Sequence, residues 1–210
     1  MKYSGMPSVM WSLFVSSFEK ALTDVFRIRD EEAKRISKQA KAEYRRIIES
    51  LPEFEKGDRF KMNIVSCAMF AGFCRQFRPL PDVKDLTEFY KQGMMNRKMK
   101  LFCKVSGLKK FSKRDRQGMA ATAKFRAADR NPYSWNMEYL PYEDGSGYEA
   151  RFTKCGICTL MKELGLKNAI PAMCRLDYTM AEAGGVCDFV RKYTLASGGP
   201  YCDCGYRKKR

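Results

Sequence analysis

Histidine is absent from this chain of 210 residues. That removes the commonest general base and the commonest metal ligand. Any polar chemistry must then run on thiols, carboxylates, Lys, Arg, Tyr or a metal held without imidazole. Long apolar runs are missing too. The longest near the start, Val9 to Val15, is broken by Ser12 and falls far short of the roughly 20 residues that cross a bilayer. No convincing small-residue cleavage site follows it, so a secretory leader is not expected. The expected location is cytoplasmic, where thiols stay mostly reduced. Nine cysteines, an odd number, leave at least one without an intrachain partner.

Acidic residues are scarce in one block. Residues 91–130 carry 13 basic and 2 acidic groups, a net +11, while the flanking stretches carry +3 and +2. Such a block can meet phosphate backbone or an anionic substrate, or be a solvated helical face. No recognised nucleic-acid motif accompanies it, so a nucleic-acid partner is not expected. Hydrophobic residues at 45% and aromatics at 13% are enough for a real core and argue against disorder.

Apolar residues at Met10, Phe14, Phe18, Leu22, Val25 and Phe26 recur every three or four positions, as do Ala33, Ile36, Ala40, Tyr44, Ile47 and Leu51. Each series is one stripe of a helix. The stripes pack on the body of the chain or on a second copy, so a homodimer through the N-terminal helices is one expectation. From Phe60 to Phe77 apolar residues lie on most faces, which predicts a buried helix in which Cys67 and Cys74 are ordinary core residues. Asp82 and Ser112 are placed to cap two further helices.

The character changes at Asn131-Pro132. Trp135 to Tyr142 and Tyr148 to Lys154 flank the turn 143–147 and predict a hairpin. Helices are expected over Gly156 to Leu164 and Pro171 to Ala183, then strands over Val186 to Leu195 and Tyr201 to Lys208. The order predicts an α+β fold: a helical region, 1–130, packed with a cysteine-rich region, 131–210, as one integrated domain. The second region would hold a mostly antiparallel four-stranded sheet and two helices.

Six of the nine cysteines fall in the last third. Cys155 sits where a strand passes into a helix, where unpaired N–H groups are expected to lower a thiol pKa. Cys155 and Cys158 form a Cys-x-x-Cys pair, either a redox dithiol, half a zinc site or coincidence. The redox reading lacks its usual βαβ setting. The one-residue gap of Cys202-Asp203-Cys204 is read as turning the two side chains to opposite faces of a strand, so that only one reaches Cys155, which makes a four-thiolate zinc site awkward. Cys174 and Asp177, three apart, share a helix face; Asp177 suits a base toward water, and its charge would raise the Cys174 pKa. Arg191 is read on a strand face with Tyr193 and Leu195, able to grip a carboxylate in bidentate fashion or simply exposed.

The run Cys155-Gly-Ile-Cys158, then Cys174-Arg-Leu-Asp177-Tyr178, then Arg191-Lys-Tyr-Thr194-Leu-Ala-Ser-Gly198-Gly199-Pro-Tyr-Cys202-Asp203 resembles the L-2-amino-thiazoline-4-carboxylic acid hydrolase family. The likeness is specific from about Phe152 to Tyr206 and general before it. Cys204 stands where an aromatic often follows the Cys-Asp pair. The resemblance implies a hydrolase of cysteine metabolism, adding water at C2 of a cyclic amidine and opening the ring at sulfur to release carbamoyl-cysteine. It implies Asp177 as base, with Cys155, Cys174, Cys202 and Asp203 as further catalytic residues. Arg191 and Thr194 would bind the small-molecule substrate. Cys155, Cys174 and Cys202 would react directly or hold a divalent metal (zinc, manganese or iron) with Asp177. The ending also resembles the vinyl-reductase-type small-ligand-binding domains, which implies a non-catalytic small-ligand-binding or metal-binding sensor or carrier instead.

Overall fold

A stripe of large apolar side chains turns each N-terminal helix inward. In the computed structural model, which describes residues 1–128 and 130–209, α1 (Met6–Phe26) buries Met10, Phe14, Phe18 and Leu22. Beside it α2 (Asp30–Ser50) buries Ala33, Ala40, Tyr44 and Ile47, with Asp30, Glu31 and Glu32 facing the positive end of its dipole. Both stripes are used within the chain, so any pairing with a second copy would fall to exposed residues such as Val9 and Leu13. Between them lies α3 (Lys61–Cys74), buried on every side from Ile64 onward. A Cβ at Gly72 would stand 2.7 Å from the Ala40 carbonyl oxygen, so glycine is what lets α3 cross α2 this closely.

Side-chain caps begin the next three helices. Asp82 accepts from the Asp85 N–H at 2.9 Å and opens α4 (Val83–Met94). Asn96 accepts from Met99 at 3.0 Å and opens α5 (Arg97–Lys109). Ser112 accepts from Asp115 at 3.2 Å and opens α6 (Lys113–Arg126). Most cations of the basic block are exposed on α5 and α6, but Arg126 is buried against Asp58 and Lys110 turns inward.

The second half carries β1 (Asn136–Pro141), β2 (Gly147–Lys154), β3 (Cys187–Val190) and β4 (Cys202–Lys208). They form one antiparallel sheet in the order β1-β2-β4-β3. Between β2 and β3 the chain makes α7 (Gly156–Glu163) and α8 (Ile170–Gly184). The fold is α+β, as expected. One face of the sheet, with Met137, Ala150, Phe189 and Cys204 at its centre, is covered by Met119 and Ala123 of α6 and Tyr178 and Ala181 of α8. α5 meets α8 backbone to backbone: a Cβ at Gly107 would lie 2.7 Å from the Gly184 carbonyl oxygen. No helix among the described residues is long and apolar enough to cross a membrane.

Two sequence expectations are corrected. The strand expected to run to Leu195 stops at Val190, because the Asp203 carboxylate takes the Lys192 and Tyr193 N–H groups at 2.9 and 2.6 Å and draws the chain off the sheet. Arg191, Tyr193 and Leu195 therefore do not alternate along a strand. Cys202 and Cys204 also do not point to opposite faces, since strand residues two apart share a face, here the one under the helices.

Candidate active site

The α8 turn from Cys174 to Asp177 faces the chain just after β3. Arg191 enters there with only 6% of its side chain exposed. Its Nη1 donates to Asp177 Oδ2 at 2.8 Å and its Nη2 to the Cys174 carbonyl at 2.7 Å. The guanidinium lies 5.3 Å from the Tyr178 ring and 5.1 Å from that of Phe189. It is neither an exposed arginine nor a free receptor for a substrate carboxylate, because its best donors are already committed. Asp177 is different: 43% of its side chain remains accessible, and Oδ1 accepts no hydrogen bond from the described residues.

Burial raises the Asp177 pKa, and Arg191 offsets this only in part. Burial works to lower Arg191, but Asp177, Cys204 and Cys174 outweigh it, so the guanidinium stays charged. The pair is lopsided: the cation is locked, while the carboxylate sits closer to neutral pH than an ordinary aspartate.

The thiols of Cys155, Cys158, Cys174 and Cys202 gather behind this pair, each within electrostatic reach of others in the group, and Cys67 of α3 joins their edge. Cys155 occupies the N-cap of α7. Gly156 permits the placement, since a Cβ there would collide with the Tyr133 carbonyl. Cys155 and Cys158 share a hydrogen bond. That bond and burial push Cys155 well up, more than the Ile157 and Cys158 N–H groups pull it down. The same bond pulls Cys158 down. The low-pKa member is thus Cys158, the reverse of the sequence expectation. Burial pushes Cys174 up to about 12 and raises Cys202 as well. All nine cysteines are free thiols.

As a metal site the group does not fit. Among the described residues no three Cys, Asp or Glu side chains are arranged to hold a metal ion, so the expected trio of Cys155, Cys174 and Cys202 is not assembled as a ligand set. Other expected site residues are engaged locally. The Cys202 sulfur accepts from the Leu195 N–H at 3.2 Å. Asp203 holds the loop after β3 on the far side of the sheet from the thiols. Thr194 caps the short turn Leu195–Ser197, its hydroxyl accepting from the Ser197 N–H at 3.1 Å.

A cavity of about 330 Å³ opens between α5, α6, α8 and the sheet. Asp177 forms part of its wall, while Cys155, Cys174 and Cys202 do not. The same wall carries Lys110, Asp115, Tyr148 and Tyr206, with the exposed Arg59 also lining it. Lys110 donates to the Tyr148 hydroxyl at 3.2 Å, and that hydroxyl donates to Asp115 Oδ2 at 2.9 Å. Burial lowers the Lys110 pKa and raises those of Tyr148 and Tyr206. Sequence reasoning missed these residues. Lys110 hid in the basic block, and the two tyrosines carried only the strand alternation that any core-facing residue shows.

The family comparison falls on this geometry. A family model, that of L-2-amino-thiazoline-4-carboxylic acid hydrolase, matches residues 80–206, from the start of α4 into β4. The chain belongs to this family. No curated protein and no solved structure matches it. The matched span includes the Asp177–Arg191 pair, the four gathered thiols and all of the cavity wall except Arg59.

Proposed function

We propose that the chain is a hydrolase that opens a small cyclic amidine, L-2-amino-thiazoline-4-carboxylate or a close analogue, in the cavity beside Asp177. Membership of the family supports the reaction class. The placement rests on Asp177, the residue that both faces the cavity and touches the arginine–thiol group behind it.

In this reading Asp177 Oδ1 takes a proton from water as the oxygen bonds to C2 of the thiazoline. The C2–S bond then breaks, the sulfur leaves with the proton that Asp177 has gained, and the hydroxyl proton on C2 passes to the ring nitrogen, which stays on C2 as the carbamoyl N–H. Water and ring become carbamoyl-cysteine with no atom left over. A carboxylate with a raised pKa suits the first step, because it takes a proton more readily than an ordinary aspartate and holds it for the departing sulfur. Arg191 fixes Oδ2 and leaves Oδ1 free. No step is routed through a metal. A covalent route is the second reading, favoured by the lowered pKa of Cys158: its thiolate would bond to C2 and expel the ring sulfur as a thiol, and water would then add at C2 and displace the Cys158 sulfur, leaving the carbamoyl carbonyl.

The test follows release of a free thiol, which the product carries and the ring does not. Turnover lost in Asp177→Asn and kept in Cys158→Ser supports the water route. Turnover lost in Cys158→Ser, with an adduct trapped on that sulfur in the wild type, supports the covalent one. Stoichiometric binding of intact amidine without turnover would leave a ligand-binding module and overturn both.

A further inference from the structure

The charges on the cavity wall do not balance locally. Asp177 is neutralised from behind by Arg191. The Asp115 oxygen Oδ2 is occupied by the Phe111 N–H at 2.8 Å and the Tyr148 hydroxyl at 2.9 Å. Lys110 has no direct counterpart: among the described residues no carboxylate oxygen lies within ion-pair distance of its Nζ, and its nearest acid, Asp115, is reached only through the Tyr148 hydroxyl. Arg59 donates to the Thr122 hydroxyl at 3.0 Å and likewise has no ion pair. The cavity wall therefore sets two cations, Arg59 and Lys110, against the single carboxylate of Asp115, since Asp177 is already paired.

The setting of Lys110 explains how a buried ammonium is tolerated without a direct ion pair. Its Nζ lies 3.5 Å from the centre of the Tyr206 ring and 5.2 Å from that of Tyr148, and a ring face attracts a cation. One of its three N–H bonds goes to the Tyr148 hydroxyl. Tyr148 in turn is fixed by Asp115, so the amine is aimed rather than loose. The aromatic faces support the positive charge but cannot neutralise it, and burial still weakens its hold on the proton. A bound anion would supply what is missing.

We propose that Lys110, positioned by Tyr148 and Tyr206 and assisted at the rim by Arg59, is the receptor for the carboxylate of a small ligand whose amidine end lies toward Asp177. The identity of that ligand rests on the hydrolase reading; the carboxylate requirement rests on the unbalanced cations alone. This moves the anion-binding role from Arg191, whose donors are taken, to Lys110 on the cavity wall. The cavity then selects a molecule with an acid at one end and a basic nitrogen at the other.

The experiment measures equilibrium binding by calorimetry and, separately, turnover. The probes are 2-amino-thiazoline-4-carboxylate and 2-amino-thiazoline without the carboxylate. Lys110→Met should weaken the acid by about 10- to 100-fold, the loss expected for a charged hydrogen bond, and leave the decarboxylated probe unchanged. Lys110→Arg should restore most of the affinity, and thermal melts of both variants check that the fold is kept. If Lys110→Met weakens both probes equally, or neither, the proposal is overturned. Binding of the acid that depends on Lys110 without any turnover would sink the hydrolase reading and keep this one. Turnover whose KM ignores Lys110 would do the opposite.

Discussion

Arg191 grips Asp177 by one oxygen only, Nη1 to Oδ2 at 2.8 Å, while its other terminal nitrogen holds the Cys174 carbonyl at 2.7 Å. The same arginine therefore ties a carboxylate on the cavity wall to the backbone of the turn that presents it. Removing the charge and removing the carboxylate have different, separable consequences.

Arg191→Met deletes the main influence that holds the Asp177 pKa down, so the acid limb of the pH–rate profile should move to higher pH. Asp177→Asn should cut kcat by about 100-fold or more and abolish that limb. The stability sign follows from the upward shift. The folded chain binds the Asp177 proton more tightly than the unfolded chain, so its contribution is fully present below the unfolded carboxylate range of about 4 and is lost as pH rises through the folded value. Denaturant titrations of Arg191→Met across that window should show a steeper decline than the wild type. An unmoved limb with an unchanged decline would refute the assignment.

Cys155 and Cys158 should respond in opposite directions to loss of the partner. Cys155→Ala removes the hydrogen bond that lowers Cys158, so alkylation of Cys158 at neutral pH should slow. Cys158→Ala removes the largest influence raising Cys155 and leaves the pull of the helix N–H groups, so Cys155 should alkylate faster. Mass-spectrometric rates at several pH values read both. Parallel changes in the two variants would contradict the shared bond.

Asp203 should behave as a scaffold rather than a participant. Asp203→Ala frees the Lys192 and Tyr193 N–H groups and should cost about 1–3 kcal/mol, whereas Asp203→Asn keeps an acceptor and should recover part of it. The pH–rate limb assigned to Asp177 should stay in place in both. A shifted limb in Asp203→Asn at unchanged stability would return Asp203 to the chemistry.

Arg126 and Asp58 form a buried pair, 3.2 Å apart and each 1% exposed, bridged by the Ser134 hydroxyl. Arg126→Met leaves an unpaired buried charge and should cost about 3–5 kcal/mol. Adding Asp58→Asn should return a large share of it, which equilibrium unfolding would measure. A double variant no better than the single one would show that shape, not charge, is what the pair supplies.

Period and punctuation made most of the architecture readable. The stripes of α1 and α2, the all-round apolar α3, the caps at Asp82 and Ser112 and the 143–147 turn are local signals, and each element lies where its signal put it. The end of β3 was not readable, because a carboxylate from β4 terminates it. α5 was hidden by its own lysines, since a mostly exposed helix needs no clean apolar stripe. At the site, nearness of Cys174 to Asp177 follows from helix spacing. The partner of Asp177 and the cavity beside it do not, because Lys110, Tyr148 and Tyr206 meet only after three distant segments have folded. The proton order within Cys155 and Cys158 was misjudged for a related reason: a helix end is a local cue, but the bond between the two sulfurs and their burial outweigh it.

The contact of Gly107 with Gly184 has a bearing on what the chamber admits. Both residues border it, and the missing methyl at Gly107 is what allows α5 and α8 to touch. The spacing of these two helices along the cavity wall is therefore set by the absence of a side chain at Gly107. An alanine at Gly107 would press its methyl on the Gly184 carbonyl and push α5 from α8, carrying Lys110, at the end of α5, away from Asp177 of α8.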